Sequence, residues 1–505
     1  MFYNKLEVSK GINCIVVLIL FSFALIGCDG FLTRTPDNVL STEEFYSNED
    51  HAEQAVVGVY EKLADVYGGK WRYTELRSDN TTHQWWEENR GPHFNWEIDE
   101  WSTTSDNPIF EGAWSNFYEG VQRSNTFLNN VDNVEFSDTD IKDKLRGEVK
   151  FLRAFFYFDL VRLFGGVPLV TEQVQTPDQA FATAEERADP EEIYSQIIED
   201  AEDAADLLPR NNPGRATEGA ARTLLGKVYL TRGNYQEAVT NLRAVTEMGY
   251  ELLSDYSAIY DLENKGHNES VFDVQYAELE SDRGLGSNFM YNFAPLYSGS
   301  EITGDNASTP TGLNIPSRCI LDAYESGDER KSASISFWED PVNEERFPGL
   351  ALGDSMPYVE KYNVPHSVRG VTGANWPVYR YAEVLLMLGE ALNELGRTDE
   401  AYPHVNRVRR RAGLDDLPAG LTQSQFREAV YHEQRVELAF ENDRWFNLLR
   451  TDRAIEVMER HGNVHRGIQP HWREPAYEIR EHKLTYPIPQ RIITLNPDLE
   501  QNPGW

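Results

Sequence analysis

Tryptophan is concentrated in one short part of the sequence. Six of the 11 Trp residues fall between positions 71 and 114, in a polar and irregular stretch. Flat aromatic rings stack on the C–H faces of sugars, and nearby carboxylates and amides bind the hydroxyl groups. The composition therefore favours a carbohydrate platform in this stretch. The six residues are Trp71, Trp85, Trp86, Trp96, Trp101 and Trp114.

The pair Trp85-Trp86 is predicted to lie at the centre of this platform. Gln84, Glu87 and Glu88 flank the pair, and Asp79 precedes it as a candidate for orienting sugar hydroxyls. Trp96 and Trp101 are further candidate ligand contacts. The alternative is that the rings fill the core between helices. We favour that alternative for Trp114, because it begins the helix-like run Trp-Ser-Asn-Phe-Tyr.

A second candidate region is rich in loop-forming residues. Gly, Pro, Ser and Asn make up 18 of the 37 residues in the segment 281–317. Long loops in compact proteins are usually functional. Tyr291 and Tyr297 in this segment are therefore predicted as additional ligand-binding aromatics.

Sequence signatures of catalysis are absent. The chain has no Gly-x-Ser-x-Gly elbow, His-Glu-x-x-His helix or phosphate-binding Gly-x-x-x-x-Gly-Lys loop. His461 and His465 are four residues apart, but Gly462 and Asn463 disfavour a rigid helix that would pair them on a metal. Cys319 is expected to be a buried thiol. We therefore predict no enzyme activity, no cofactor and no metal site, and leave calcium on an acidic loop open, although no EF-hand spacing occurs.

Charge and composition exclude several classes of partner. The 505 residues carry a formal net charge of −36, and a field of that sign repels nucleic acid and anionic lipid. Hydrophobic residues make up 40% and charged residues 26%, which excludes disorder along the whole chain.

The N-terminus has the features of an export leader. Lys5 and Lys10 precede an apolar run that is too short for a comfortable membrane span. The run ends at Leu-Ile-Gly-Cys, which resembles the bacterial lipobox, so residues 1–27 are predicted to be a signal peptide. Cys28 would then carry the lipid anchor, and residues 28–45 would form a tether. No later stretch is long and apolar enough to span a membrane.

The remaining chain is patterned mainly for helices. We predict a first helix over Ala52–Tyr67, capped by Ser41 or Thr42 upstream and stopped at Gly68-Gly69. A second helix over Gly147–Phe164 carries apolar residues on most sides, so it should be buried. Residues 270–276 alternate as a short strand would, and the C-terminal tail should lie on the core.

Two segments repeat each other at an offset of 163 residues. Leu225-Gly226 with Gly233 and Leu242 matches Leu388-Gly389 with Gly396 and Val405. Small residues at these positions let two antiparallel helices approach closely, as in tetratricopeptide hairpins. The predicted fold is mainly α, with tetratricopeptide-like hairpins packed into one compact unit that carries a long, loop-rich ligand-binding insertion.

Several motifs together resemble the SusD/RagB family. They are Gly147 to Phe158 with Gly165-Gly166-Val167-Pro168, Arg380 to Leu386 with Glu390-Ala391, Arg409 to Gly413, Glu437 to Glu441 with Arg444-Trp445, and Gln501 to Gly504. The resemblance covers essentially the whole mature chain in the family's order. It divides the chain into an N-terminal helical half (46–265) and a C-terminal half (266–505) with a loop-rich insertion (281–375).

The resemblance implies a role in nutrient uptake and polysaccharide utilisation. Family members are non-enzymatic lipoproteins on the outer face of the outer membrane. They bind oligosaccharides, or peptides in some branches, and act as lids on a SusC-like TonB-dependent barrel. A glycan-binding lipoprotein is therefore expected, and the alternative is a tetratricopeptide adaptor or a peptide-binding uptake lipoprotein. An adaptor would concentrate its binding residues on a concave helical face.

Overall fold

A computed structural model describes residues 45–84, 93–183, 186–278, 286–304, 310–365, 372–468 and 476–505. The predicted leader, Cys28, and the proposed caps Ser41 and Thr42 lie outside these residues. The described chain is mainly helical, which confirms the predicted fold class. In this part of the chain, no helix is both long enough and apolar enough to cross a membrane.

The helices follow one another along the chain with few strands between them. The helices α1 to α10 are Glu49–Lys70, His93–Asp99, Pro108–Asn130, Thr139–Phe164, Pro177–Thr183, Pro190–Leu207, Glu218–Thr231, Tyr235–Thr246, Phe289–Phe293 and Ser300–Thr303. The helices α11 to α19 are Arg318–Leu321, Arg330–Ser334, Asn343–Arg346, Tyr381–Glu394, Thr398–Arg411, Gln423–Glu437, Arg444–Arg450, Ala454–Ile468 and Gln490–Leu495. The strands β1 to β6 are Thr81–Thr82, Ser270–Val274, Ile315–Pro316, Ile335–Glu339, Ser355–Val359 and Trp376–Arg380.

The first helix differs from its prediction at both ends. Helix α1 begins after Asn48, whose side chain accepts a hydrogen bond from the His51 amide, and it continues through Gly68 and Gly69 to Lys70. Buried Lys70 lies 2.5 Å from the Asp159 carboxylate, and this pairing holds the last turn in place despite the two glycines. A tertiary contact therefore overrides the weak helix propensity of glycine.

Helix α4 is the central helix of the body. It runs from Thr139 to Phe164, and all residues from 151 to 164 except Arg162 are buried, as predicted. Gly165 ends it with a left-handed φ of 73°. At Gly166 a Cβ would lie 2.6 Å from the Ala188 carbonyl, so only glycine fits where the chain leaves the helix.

The two repeated segments form the predicted helical hairpins. Helices α7 and α8 make one hairpin and α14 and α15 make the other, and α8 packs on α14. A Cβ on Gly226 would lie 2.5 Å from Leu242, and one on Gly389 would lie 2.7 Å from Val405. The repeated glycines are therefore the points of closest helix approach. The turn glycines of both hairpins, Gly233 and Gly396, have left-handed φ angles of 75° and 73°.

A network of buried ion pairs joins the start of α14 to α16. The Arg380 guanidinium lies 2.9 Å from Glu269, 2.8 Å from Glu437 and 2.8 Å from Glu441. Arg330 and Arg411 also pair with Glu437. Burial opposes ionisation of Glu437, but the three guanidiniums hold its pKa well below its usual range. The charges of this network are therefore buried together with partners of opposite sign.

The insertion has a small hydrophobic core of its own. Its antiparallel hairpin pairs β4 with β5, from Ile335 opposite Val359 to Glu339 opposite Ser355. The buried residues of this second cluster are Ile315, Trp338, Phe347, Leu350, Ala351, Met356 and Tyr358. This cluster is separate from the main core, which extends from Tyr46 to Leu499.

The C-terminal tail lies on the body, as predicted. The Tyr486 hydroxyl donates a hydrogen bond to the Tyr73 carbonyl at 2.8 Å. The Asn502 amide donates to the carbonyls of Phe164 and Tyr486. The tail therefore closes the end of α4, next to the Gly165-Gly166 turn.

Candidate ligand-binding face

The segment 79–84 connects the body to the insertion. Strand β1 pairs with β3, with Thr81 opposite Pro316 and Thr82 opposite Ile315. The Gln84 amide donates to the Gly312 carbonyl at 2.7 Å, and its side-chain oxygen accepts from the Leu296 amide at 2.8 Å. These bonds hold Gln84 against two loops of the insertion. One loop contains Leu296 and Tyr297, and the other contains Gly312.

Asp79 has a structural role in this arrangement. It is 3% exposed, and its carboxylate lies 2.7 Å from Arg444 and 2.8 Å from Arg435. Burial opposes its ionisation, but the two guanidiniums hold the pKa of Asp79 well below its usual range. The prediction that Asp79 orients ligand hydroxyls is corrected, because its acceptor oxygens are already committed to arginines.

Trp101 also belongs to the body. Its ring is fully buried and meets Trp445 edge-on at 5.5 Å between ring centroids. The Arg77 guanidinium lies 3.5 Å from the Trp101 ring centroid. Because both partners cover the ring, Trp101 presents no face on which a sugar could stack, which corrects its assignment as a ligand contact. Trp114 is buried as expected.

The two tyrosines of the insertion have opposite environments. Tyr291 is fully buried in the short helix α9, so it is corrected from a ligand contact to a core residue. Tyr297 is 42% exposed and lies roughly parallel to Phe347, with 6.4 Å between ring centroids. The Arg346 guanidinium is 5.1 Å from the Tyr297 ring. Tyr297 therefore combines an exposed ring with neighbours that fix its position.

The other predicted tryptophans fall into two groups. Trp96 is partly exposed on α2 and lies 6.5 Å from His93 between ring centroids. Trp85 and Trp86 lie outside the described residues, and they directly follow Gln84 in the sequence. Their assignment to the ligand stays a prediction.

The structure adds exposed residues that the sequence analysis did not identify. Phe337 on β4 is 38% exposed, whereas its neighbour Trp338 is buried and donates a 2.8 Å hydrogen bond to Glu301. Successive strand side chains point to opposite faces, so the two rings lie on different sides of β4. Ile335 shares the face of Phe337 and is buried, so the alternation does not predict which ring is exposed. Phe337 and Arg346 are therefore further candidates near the exposed edge of the insertion.

The two spaced histidines lie on a helix, contrary to the prediction. Helix α18 includes His461, Gly462 and His465, and the two imidazole rings are 4.2 Å apart between centroids. A Cβ on Gly462 would lie 2.6 Å from Tyr477, so this glycine allows close packing and does not break the helix. Burial lowers the pKa of His461 to about 4. No group of three metal-ligating side chains occurs among the residues described by the structure.

Cys319 is only partly buried, at the start of the short helix α11. Burial raises the pKa of its thiol to about 11. The thiolate is the nucleophilic form, so this residue is unreactive at neutral pH.

Comparison with known proteins identifies the fold and the relatives. A family model described as "SusD family" matches residues 353–505, and one described as "Starch-binding associating with outer membrane" matches residues 30–230. The two matches together span more than two thirds of the chain.

Individual relatives match along most of their length. A SusD-like protein of Formosa agariphila is 26% identical, over 97% of this chain and 98% of the relative. The starch-binding protein SusD of Bacteroides thetaiotaomicron is 21% identical, over 89% of this chain and 87% of the relative. A solved structure of a laminarin-binding SusD-like protein superposes with a TM-score of 0.74 and 25% identity, over 91% of this chain and 100% of that protein. The chain belongs to the SusD/RagB family.

Proposed function

We propose that the protein is a surface-exposed glycan-binding lipoprotein that captures oligosaccharides for uptake. The observation that carries the proposal is the exposed Tyr297 ring, fixed between Phe347 and Arg346 beside the loops that Gln84 contacts. The starch-binding and laminarin-binding relatives support a glycan ligand. We propose a binding role only and assign no catalytic residue.

The proposed platform combines residues from the Trp-rich segment (71–114) and from the insertion, which are in contact at Gln84. Trp85, Trp86 and Trp96 supply stacking rings from the Trp-rich segment, and Tyr297 supplies one from the insertion. Asp79, Trp101 and Tyr291 are excluded because they are buried. Exposed polar groups of the insertion, such as Arg346, would bind sugar hydroxyls in place of Asp79.

The test is the double substitution Trp85→Ala/Trp86→Ala. Stacking of nucleic-acid bases on aromatic rings contributes about 1–3 kcal/mol per ring, and a sugar face should contribute a similar or smaller amount. The variant should therefore bind laminarin or starch oligosaccharides at least about tenfold more weakly in calorimetric titrations. Its melting temperature should change little. Unchanged affinity with a lower melting temperature would assign both rings to the core and leave Tyr297 as the centre of the site.

We further propose that Cys28 carries a lipid and that the protein partners a SusC-like TonB-dependent barrel in the outer membrane. The lipobox-like sequence and the family membership support both. A tether confines the two proteins to one surface, so modest contacts suffice for a stable pair. Mass spectrometry of the mature N-terminus and affinity purification from mild detergent test them. An unmodified Cys28, or repeated recovery of this protein alone, would contradict them.

The helical hairpins do not decide against the adaptor alternative. Helix α8 packs on α14 and joins the two hairpins, which is also how neighbouring repeats stack in tetratricopeptide arrays. The exposed Tyr297 ring lies on the insertion and not on these helices, which favours the glycan-binding proposal. A peptide-binding uptake role remains compatible with the same exposed face. Screening a glycan array beside a peptide library would separate the two ligand classes.

A further inference from the structure

A polar cleft lies outside the ligand-binding face. It has a volume of about 330 Å³. It is formed by the α6–α7 loop (210–217), the turn that follows α8 (248–250) and residues 266–275, which lead into and along β2. Its lining is mainly polar, and the apolar or aromatic members are Pro213, Met248, Tyr250, Val271 and Phe272. The volume accommodates one or two sugar rings and lies at the lower end of the range for ligand pockets.

The walls of this cleft are held by hydrogen bonds. His267 accepts hydrogen bonds from the amides of Glu269 and Ser270, which fixes the turn that leads into β2. The Asn212 amide donates to Glu148 and to the Ala216 carbonyl, which fixes the opposite loop. These bonds fix the backbone of two walls of the cleft.

The cationic groups of the cleft are already neutralised. Arg210 lies 3.0 Å from Glu218, and Arg215 lies 3.3 Å from buried Glu148. An anionic ligand would have to compete with these carboxylates. The charge pattern therefore favours a neutral ligand.

The polar side chains of the lining that suit a sugar include Asp273. Asp273 lines the cleft, and it forms no ion pair with any lysine or arginine in the described part of the chain. Burial raises the pKa of Asp273 to about 6, although a side-chain hydrogen bond with Ser270 and the nearby charges of Arg380 and Lys265 oppose the shift. Asn211 and Asn268 line the same cleft with exposed side chains. A carboxylate and two amides in the lining of one cleft are suited to bind sugar hydroxyls.

We infer that this cleft is a second saccharide subsite, which holds one neutral sugar unit through Asp273 and Asn268. The inference rests on the proposed glycan-binding function and extends it to a separate surface. A polysaccharide that reaches both sites gains affinity through effective concentration, whereas a short oligosaccharide occupies only one. The second subsite would therefore favour intact polysaccharide over short fragments.

The double substitution Asp273→Asn/Asn268→Ala tests this inference in the full-length protein purified in detergent. Native electrophoresis through gels containing laminarin, starch or xylan measures retention by neutral polysaccharide, and the acidic chain migrates well in such gels. We expect the variant to be retained at least threefold more weakly by the polysaccharide that binds wild type. Its affinity for a hexasaccharide of that polysaccharide should change less than twofold. Glu247→Gln, an exposed neutralisation beside the cleft, is the matched control.

The outcomes separate this inference from the function on which it rests. If wild type is retained and the double variant behaves like Glu247→Gln, the second subsite is wrong and the glycan-binding function stands. If wild type is retained by none of the three polysaccharides and binds none of their hexasaccharides, neutral-glycan binding is wrong and the subsite is wrong with it. Asn268→Ala alone alters only an exposed side chain, so it repeats the test if the double variant is poorly folded.

Discussion

The helical body and the insertion hold their polar and aromatic residues in opposite ways. In the body, Arg380 and Lys70 are buried with their carboxylate partners, and Trp101 is covered on both sides. In the insertion, a small second core supports Tyr297 and Phe337 at the surface. In the body these charged and aromatic side chains are buried and stabilise the fold, whereas in the insertion aromatic rings are exposed to solvent.

This difference separates stability from ligand choice. A change in the buried network should unfold the protein without redefining its ligand. A change at the exposed edge of the insertion should alter binding at little cost to folding. The same scaffold can therefore support different ligands through changes in its loops.

The largest effect is expected from Arg380→Met in the body. Loss of this guanidinium leaves Glu269, Glu437 and Glu441 with fewer cationic partners in a buried site. Breaking one partner of a buried ion pair costs about 3–5 kcal/mol. We expect a loss of that size in the free energy of unfolding, measured by denaturant titration.

The matched control is Arg410→Met, which breaks an exposed pair with Asp416. Exposed pairs contribute about 0–1 kcal/mol, so this variant should remain close to wild type. Equal effects of the two substitutions would contradict the distinction between a paired interior and a solvated surface.

An acid-dependent loss of stability is expected from His461. Its folded-state pKa is lowered to about 4 by burial, while the unfolded chain titrates near 6.5. The unfolded state therefore binds the proton first as pH falls below 6.5, and the folded state loses stability down to about pH 4. The contribution of this residue at pH 4.5 is about 2–3 kcal/mol.

His461→Leu should remove this part of the pH dependence. Neither ring nitrogen of His461 has a hydrogen-bond partner in the described structure, so an apolar side chain leaves no polar group stranded there. Denaturation at pH 7.5 and pH 4.5 should show a smaller difference for the variant than for wild type. An identical difference would mean that His461 is not buried in its neutral form.

The hairpin glycines should give an intermediate effect. Gly226→Ala places a methyl group 2.5 Å from Leu242, so the helices must separate. Overpacking of this kind typically costs about 1–3 kcal/mol. Gly68→Ala is the control, because a Cβ there meets nothing within 4 Å and alanine favours the helix by about 1 kcal/mol. Denaturant titration should therefore move in opposite directions for the two variants.

The repeat and the buried helix could be predicted because each leaves a local pattern in the sequence. The repeated Leu-Gly pairs at Gly226 and Gly389 indicate close contacts between helices. Apolar residues on most sides of α4 indicate that this helix is buried. The end of α1 could not be predicted this way. It depends on Lys70 meeting Asp159, which is 89 residues away in the chain.

The candidate site was predicted less completely, because the type of a residue does not show whether its side chain is exposed to solvent. Trp101 and Tyr291 lie in polar or loop-like sequence, yet both are fully buried, and Trp101 is covered by the distant Trp445. Asp79 is committed to Arg435 and Arg444, more than 350 residues away, which no local pattern reveals. Strand alternation places Phe337 and Trp338 on opposite faces, but it does not tell which ring is exposed, because buried Ile335 shares the face of Phe337.

The smallest effect on stability, and the sharpest test of the exposed face, is expected at Tyr297. This residue has a left-handed φ of 72°, which costs a non-glycine residue about 1–2 kcal/mol. Tyr297→Gly relieves that strain and Tyr297→Ala does not, so the glycine variant should be the more stable by about 1 kcal/mol. Both variants lose the ring, so both should bind the oligosaccharide about fivefold to tenfold more weakly if stacking contributes about 1 kcal/mol or more. Calorimetric titration and thermal melts of the two variants separate backbone strain from ring contact. Wild-type affinity in the glycine variant would show that the Tyr297 ring does not contact the glycan, and the platform would then have to be built from the Trp-rich segment alone.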